Sequence, residues 1–159
     1  MRRELIEEEL TKAVIGVFYE VYNHLRFGFL EHLYVMAMER ELRERGYRVG
    51  REVAVPVFYK GEHLGTQRID MIVDEKLIVE AKSTLALHPA ASRQVNSYLR
   101  ATHLEVGLLL HFGPEPKFYR HVLSNQKKIW FSAPDQPVLI RSAPKVVNAA
   151  ETQPDQSLK

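Results

Sequence analysis

Asp70, Glu80 and Lys82 are the residues whose types and spacing can do chemistry together. They lie in Arg68-Ile69-Asp70-Met71-Ile72-Val73 and Leu77-Ile78-Val79-Glu80-Ala81-Lys82, two apolar runs separated by the polar Asp74-Glu75-Lys76. Both runs read as strands. Side chains alternate across a strand, so Glu80 and Lys82 share a face. With a three-residue turn, Asp70 falls directly opposite Glu80, at about 4.5–5.5 Å between Cβ atoms. Two carboxylates and an ammonium then converge on one spot. Carboxylates that close repel each other, and burial makes the repulsion worse. A divalent cation between them relieves it. The donors are hard oxygens, because the chain has no cysteine and this stretch has no histidine. That donor set suits Mg²⁺ or Mn²⁺. Such a cation can neutralise a phosphate and lower the pKa of a bound water. Lys82 adds a compact positive charge beside it.

A plainer reading competes: a surface hairpin with a cross-strand salt bridge, which is common and contributes little. The surroundings weigh against it. Ile72, Val73, Ile78 and Val79 make both strand faces apolar around the charges, and charged residues are seldom set inside apolar strands without a role.

The elements that must position these residues follow from periodicity. Ile6, Leu10, Ala13, Val14, Val17, Phe18 and Val21 recur at spacings of three and four, predicting a helix from Leu5 to about Leu25. Arg26-Phe27-Gly28-Phe29 interrupts it. A second helix is predicted from Leu30 to Arg45, with Leu30, Leu33, Tyr34, Ala37, Met38 and Leu42 on its apolar face and Gly46 after it. The period then becomes two. Val53, Val55, Val57 and Tyr59 form one face of a strand that Pro56 assigns to an edge or a bulge. Lys60-Gly61 is a turn, and Gln67–Val73 and Leu77–Ser83 are the next strands. Pro89 suits the first turn of a third helix running to Ala101. Val106–Phe112 reads as a buried central strand and Lys117–Leu123 as a further strand. The fold class is α/β with a mixed central sheet.

At 159 residues, with 45% hydrophobic residues, the chain is long enough for one domain with a real core. The expected domain spans residues 1–131. Residues 132–159 carry four of the eight prolines with Gln, Ser and Asn, and read as a disordered tail with a docked segment around Val138-Leu139-Ile140. The formal net charge is +2. That excludes a polybasic binder, so any nucleic-acid site must be a local patch. The lack of cysteine excludes disulfide frameworks, zinc ribbons, iron–sulfur clusters and thiol nucleophiles. Met1-Arg2-Arg3-Glu4 opens no secretory leader, and no apolar run is long enough to span a membrane. A soluble cytoplasmic protein is the expectation.

Asp70…Glu80-Ala81-Lys82 on adjacent strands resembles the PD-(D/E)XK nuclease motif, and the order helix, three strands, helix, strand is similar to that restriction-endonuclease-like core. Gln94-Val95-Asn96-Ser97-Tyr98 adds a Gln-x-x-x-Tyr pattern like that of the RecB-like branch. Gly28-Phe29-Leu30-Glu31-His32-Leu33-Tyr34 resembles the signature of the GxxExxY family within the same superfamily. The resemblance runs from about Leu10 to Val122. It implies a Mg²⁺- or Mn²⁺-dependent nuclease, with DNA the expected partner. It also implies Asp70 and Glu80 as metal ligands, with the carbonyl of Ala81 and the side chain of Glu31 as further ones, and Lys82 as the catalytic lysine. Gln94 would orient the Lys82 region or a substrate phosphate, Tyr98 would support it, and Tyr34 would pack beside Glu31 or line the site. His111-Phe112-Gly113 replaces the usual Asn-Phe-Gly, and Arg68-Ile69-Asp70 the usual Arg-Ala-Asp.

Without the resemblance, Glu31 would simply favour a helix N-terminus, and Gln94 would be an exposed helix residue. The seven histidines show no pair at metal-ligand spacing. Arg40, Arg43, Arg45, Arg48 and Arg51 alternate with glutamates as on a solvated face; a phosphate-backbone contact joined by Arg93 and Arg100 is the weaker alternative. A non-catalytic module binding nucleic acid or protein is the rival function, and a homodimer or an unidentified protein partner stays open.

Overall fold

In the computed structural model, which describes residues 5–128, five strands and three α-helices follow one another as α1 (Glu8–Leu25), α2 (Glu31–Glu44), β1 (Val49–Tyr59), β2 (Glu62–Val73), β3 (Leu77–Lys82), α3 (Ala90–Ala101), β4 (Val106–Phe112) and β5 (Pro116–Val122). The expected tail from residue 132 lies outside the described residues. The strands form one mixed sheet in the order β1-β2-β3-β4-β5. β3 and β4 pair in parallel, and α3 is the crossover that parallel neighbours require. The other pairs are antiparallel.

Alternation along the strands builds a core on each side of the sheet. Met71, Val73, Leu77, Val79, Val106, Leu108 and Leu110 face α1 and α2 through Val14, Phe18, Tyr34, Met38 and Leu42. Ile72, Ile78 and Leu109 face α3 through Val95, Tyr98 and Leu99. Glu80 lies two residues after Ile78, and so on the α3 side.

Several boundaries depart from the periodicity. α1 starts at Glu8, three residues later than expected, and Ile6 is exposed. α2 starts at Glu31 and buries Tyr34, Val35, Met38 and Leu42. Leu30 and Leu33, assigned to its apolar face, are exposed at 69% and 38%. The helix presents Val35 to the core in their place, a rotation of its buried stripe that the spacing did not resolve. β1 and β2 are longer than predicted because they continue as a hairpin through Lys60-Gly61. Both turn residues have positive φ, 48° and 82°, as a type I′ hairpin turn needs. Pro56 sits in β1, which is an edge strand, and the register shifts between Val57 and Phe58.

Candidate active site

The chemistry gathers where β2 and β3 part. Their ladder runs Val73↔Leu77, Ile72↔Ile78, Met71↔Val79. Continued one step in the same register, Asp70 faces Glu80. There the pattern changes: Asp70 Oδ2 accepts the backbone N–H of Ala81 at 2.9 Å. A carboxylate thus takes a strand amide. On the other side of β2, Glu52 stands across from Asp70 between the pairs Arg51↔Met71 and Val53↔Ile69, with φ 49°. The irregularity in β1 therefore falls beside the point where β2 leaves β3.

Glu80 is 2% exposed. Its Oε1 accepts from Lys82 Nζ at 3.0 Å, and its Oε2 is buried without a hydrogen-bond partner among the described residues. Burial, then the nearby Asp70 carboxylate, pushes the Glu80 carboxyl up to about 7. Asp70 is also raised, first by burial and further by Glu31, against the Ala81 N–H and the charges of Lys82 and Arg51. Burial alone would lower Lys82. The carboxylates of Glu80, Glu31 and Asp70 outweigh it, and the ammonium form is favoured.

Glu31 reaches the same place from the first turn of α2. Its Oε1 lies 4.0 Å from Lys82 Nζ, and its Oε2 accepts the Ser83 N–H at 3.2 Å. From α3, Gln94 Nε2 donates to Tyr98 Oη at 2.7 Å, and Tyr98 Oη donates to the Arg68 carbonyl at 2.9 Å. Burial raises the Tyr98 phenol, and the neighbouring Glu80 carboxylate raises it further. The structure thus brings Asp70, Glu80, Lys82, Glu31, Gln94 and Tyr98 to one end of the sheet. Arg93, beside Gln94, is exposed.

Tyr34 does not line the site. It is fully buried, its ring stacks on Phe112 at 4.2 Å, and its hydroxyl donates to the Arg26 carbonyl and accepts the Phe29 N–H. It cannot meet a substrate, because both ring and hydroxyl are committed to core and loop. It shapes the site indirectly, by closing the loop that delivers Glu31.

Two supports had no role assigned from the sequence, although His111 was noted in place of the usual Asn. His111 pairs in register with Lys82 across the parallel ladder and donates from Nε2 to the Thr84 carbonyl at 2.8 Å. Ser83 Oγ donates to the Phe29 carbonyl at 2.7 Å. Both brace the segment after β3. The signal for His111 was a lone polar residue in Val106–Phe112; nothing local marked Ser83. The arginines from α2 into the start of β1 are paired: Arg40 with Glu44, Arg43 and Arg51 with Glu39, Arg45 with Glu20, and Arg48 with Asp74. That fits a solvated face rather than a phosphate contact.

The residues present fit a hard divalent cation. A buried Glu80 oxygen has no partner, Asp70 has an oxygen beyond the one that takes Ala81, and every candidate donor is oxygen. Among the described residues no group of three or more His, Cys, Asp or Glu stands close enough together to hold a metal ion. Mg²⁺ takes one or two carboxylates and keeps its waters, so it does not need such a group.

The fold is a mixed sheet flanked by helices, with an Asp, a Glu and a Lys at the parting of two strands. The family description of the PD-(D/E)XK nuclease superfamily matches residues 8–121, more than half of the chain, and the protein belongs to that superfamily. No curated protein matches the sequence. Among solved structures, the crystal structure of SSO0001 is similar, with a TM-score of 0.47 and 17% identity over 76% of this chain and 62% of that one. The chain thus spans less than two thirds of that protein's length. Among the described residues no helix is long and apolar enough to cross a membrane.

Proposed function

We propose that this protein is a Mg²⁺- or Mn²⁺-dependent nuclease that hydrolyses phosphodiester bonds, with DNA as its polymer. Asp70 and Glu80 hold the cation, aided by the Ala81 carbonyl and Glu31. When bound, the cation supplies Lewis acidity: it offsets charge on a phosphate and makes water a stronger acid. Lys82 offsets the negative charge that develops on the phosphate oxygens and orients the attacking water. Tyr98 and Gln94 hold the α3 side of Glu80 in place. Arg93 contacts a neighbouring phosphate. We also read the chain as a GxxExxY protein, on the strength of Gly28, Glu31 and Tyr34. Gly28 takes a φ of 128° in the loop, Glu31 meets Lys82, and Tyr34 closes the loop beneath them.

The observation that carries the proposal is the buried Glu80 oxygen without a partner, beside Asp70 and Lys82. The test is a cleavage assay on single- and double-stranded DNA, linear and circular, and on RNA, with Mg²⁺, Mn²⁺ or EDTA, and with Lys82→Ala alongside. Cutting that needs the cation and is lost in Lys82→Ala is the expected result. A folded protein that neither cuts nor binds either cation would sink the proposal.

A further inference from the structure

The loop between α1 and α2 exposes aromatic surface beside the site. Phe27 and Phe29 are 36% and 47% exposed. Leu30 flanks them, and Leu85, at 78% exposed, comes from the segment after β3. That segment touches the loop and the site together: Ser83 Oγ bonds the Phe29 carbonyl, and the Ser83 N–H bonds Glu31.

The exposure is built in. Arg26 has φ 57° and ψ −173°, a positive-φ conformation that costs a residue with a Cβ. Tyr34, buried beneath, holds the carbonyl of Arg26 and the N–H of Phe29. The ring of Phe29 meets Tyr34 edge-on at 6.3 Å, Tyr34 stacks on Phe112 at 4.2 Å, and Phe112 meets Phe18 at 4.8 Å. An aromatic column therefore runs from the core to the surface and ends at Phe29.

The platform itself carries no carboxylate; its acidic neighbours are Glu31, Asp70 and Glu80, the residues assigned to the cation. The chain has 20 acidic residues, yet none lies between Glu20 and Glu31 or between Glu80 and Glu105. Those stretches supply the platform, the segment after Lys82 and all of α3. Arg26, in the loop itself, is exposed and makes no ion pair among the described residues. An anionic polymer with flat apolar faces is complementary to such a surface. In a duplex those faces are hidden by stacking; in a single strand they are free to stack on aromatic side chains.

We propose that Phe27 and Phe29 form a stacking platform for unpaired bases next to the scissile phosphate, which makes single-stranded nucleic acid, or a frayed end, the preferred substrate. This rests on the nuclease reading above and deepens it. Arg26 meets the backbone while the bases lie on the rings.

The test measures fluorescence anisotropy of a labelled thymidine oligonucleotide, its duplex, and the same strand without bases, with Mg²⁺ and the full chain in the Lys82→Ala background. Adding Phe27→Ala and Phe29→Ala should weaken single-strand binding about tenfold or more and leave the duplex within about twofold. The baseless strand should bind the parent as weakly as the intact strand binds the double variant. Phe29→Trp should keep the affinity, which separates stacking from a folding defect. Equal affinity of parent and double variant for the intact strand, from a protein whose Lys82 form cuts nucleic acid, overturns the platform and leaves the nuclease standing. A dimer that the double variant dissociates without change in strand affinity also overturns it, as a protein interface. If the Lys82 form cuts nothing and the chain binds no strand, the nuclease reading falls and the platform with it.

Discussion

The Asp70 carboxylate accepts the backbone N–H of Ala81 at 2.9 Å, one step beyond the last ladder pair of β2 and β3. One side chain thereby does two things. It fastens β3 where the sheet parts, and it holds a carboxylate against Glu80. Asp70 is therefore structural as well as chemical, and its variants must be read with that in mind.

Asp70→Asn retains an oxygen for Ala81 but loses the charge, so its fold should survive and its cation affinity should not. Glu80→Gln should lose affinity in the same way. Titration calorimetry with Mg²⁺ or Mn²⁺ reads this directly, with an expected loss of at least about tenfold. Unchanged affinity in both variants would remove these residues as ligands.

Lys82→Ala should keep cation binding and lose turnover by about two to three orders of magnitude. Glu80 loses its countercharge at 3.0 Å in this variant, so the carboxyl rises further and protons compete better with the cation. Affinity for Mg²⁺ should then fall more steeply with acid than in the parent, as calorimetry across a pH series would show.

Stability without divalent cations should depend on Glu80. Its carboxyl titrates near 7 in the fold against an ordinary value of 4.5. The folded state therefore holds more protons than the unfolded state across that window. Unfolding free energy falls as pH rises through it and levels off above. Glu80→Gln removes the effect, so at about pH 8 the variant should be more stable by about 1–3 kcal/mol, and near-equal below about pH 4.5. Urea denaturation at both ends checks this. Saturating Mg²⁺ should narrow the gap, since only the parent binds it well.

Tyr34→Phe keeps the ring on Phe112 and deletes the hydroxyl that serves Arg26 and Phe29. The expected cost is about 1–2 kcal/mol in denaturation. The loop that carries Glu31 loosens, so the Mg²⁺ affinity should drop with it. A purely local loss of stability, with cation affinity intact, would detach Tyr34 from the site.

Gly107→Ala tests how α3 is seated. A Cβ at Gly107 would fall 2.6 Å from Val95 Cγ1. β4 and α3 must move apart, at a cost of about 1–3 kcal/mol. Gln94 and Tyr98 ride on that helix and should leave their places at the Glu80 side, lowering turnover. Adding Val95→Ala makes room and should recover part of both.

Short-range order made the centre of the site readable. Asp70, Glu80 and Lys82 follow from a three-residue turn and a period of two, both local properties. The register Val73↔Leu77 bears this out. Pro56 in an edge strand and the buried run Val106–Phe112 were legible for similar reasons: a missing donor and an unbroken apolar stretch each exclude most positions in a sheet. The stripe of α2 was not legible. Leu33, Tyr34 and Val35 offer more than one apolar face, and only packing against β3 and Phe112 selects the one that buries Tyr34 and Val35.

By itself, then, the sequence determined that the strands on either side of Asp74-Glu75-Lys76 pair and that Asp70, Glu80 and Lys82 converge, because turns and alternation act over a few residues. Tertiary structure alone decided that Glu31 reaches Ser83 across 52 positions, that His111 braces Thr84, and that the Phe29 carbonyl meets Ser83 while the rings of Phe27 and Phe29 stay partly exposed. Those depend on how helices seat on a twisted sheet, a matter of side-chain volumes far apart in the chain, which no local period encodes.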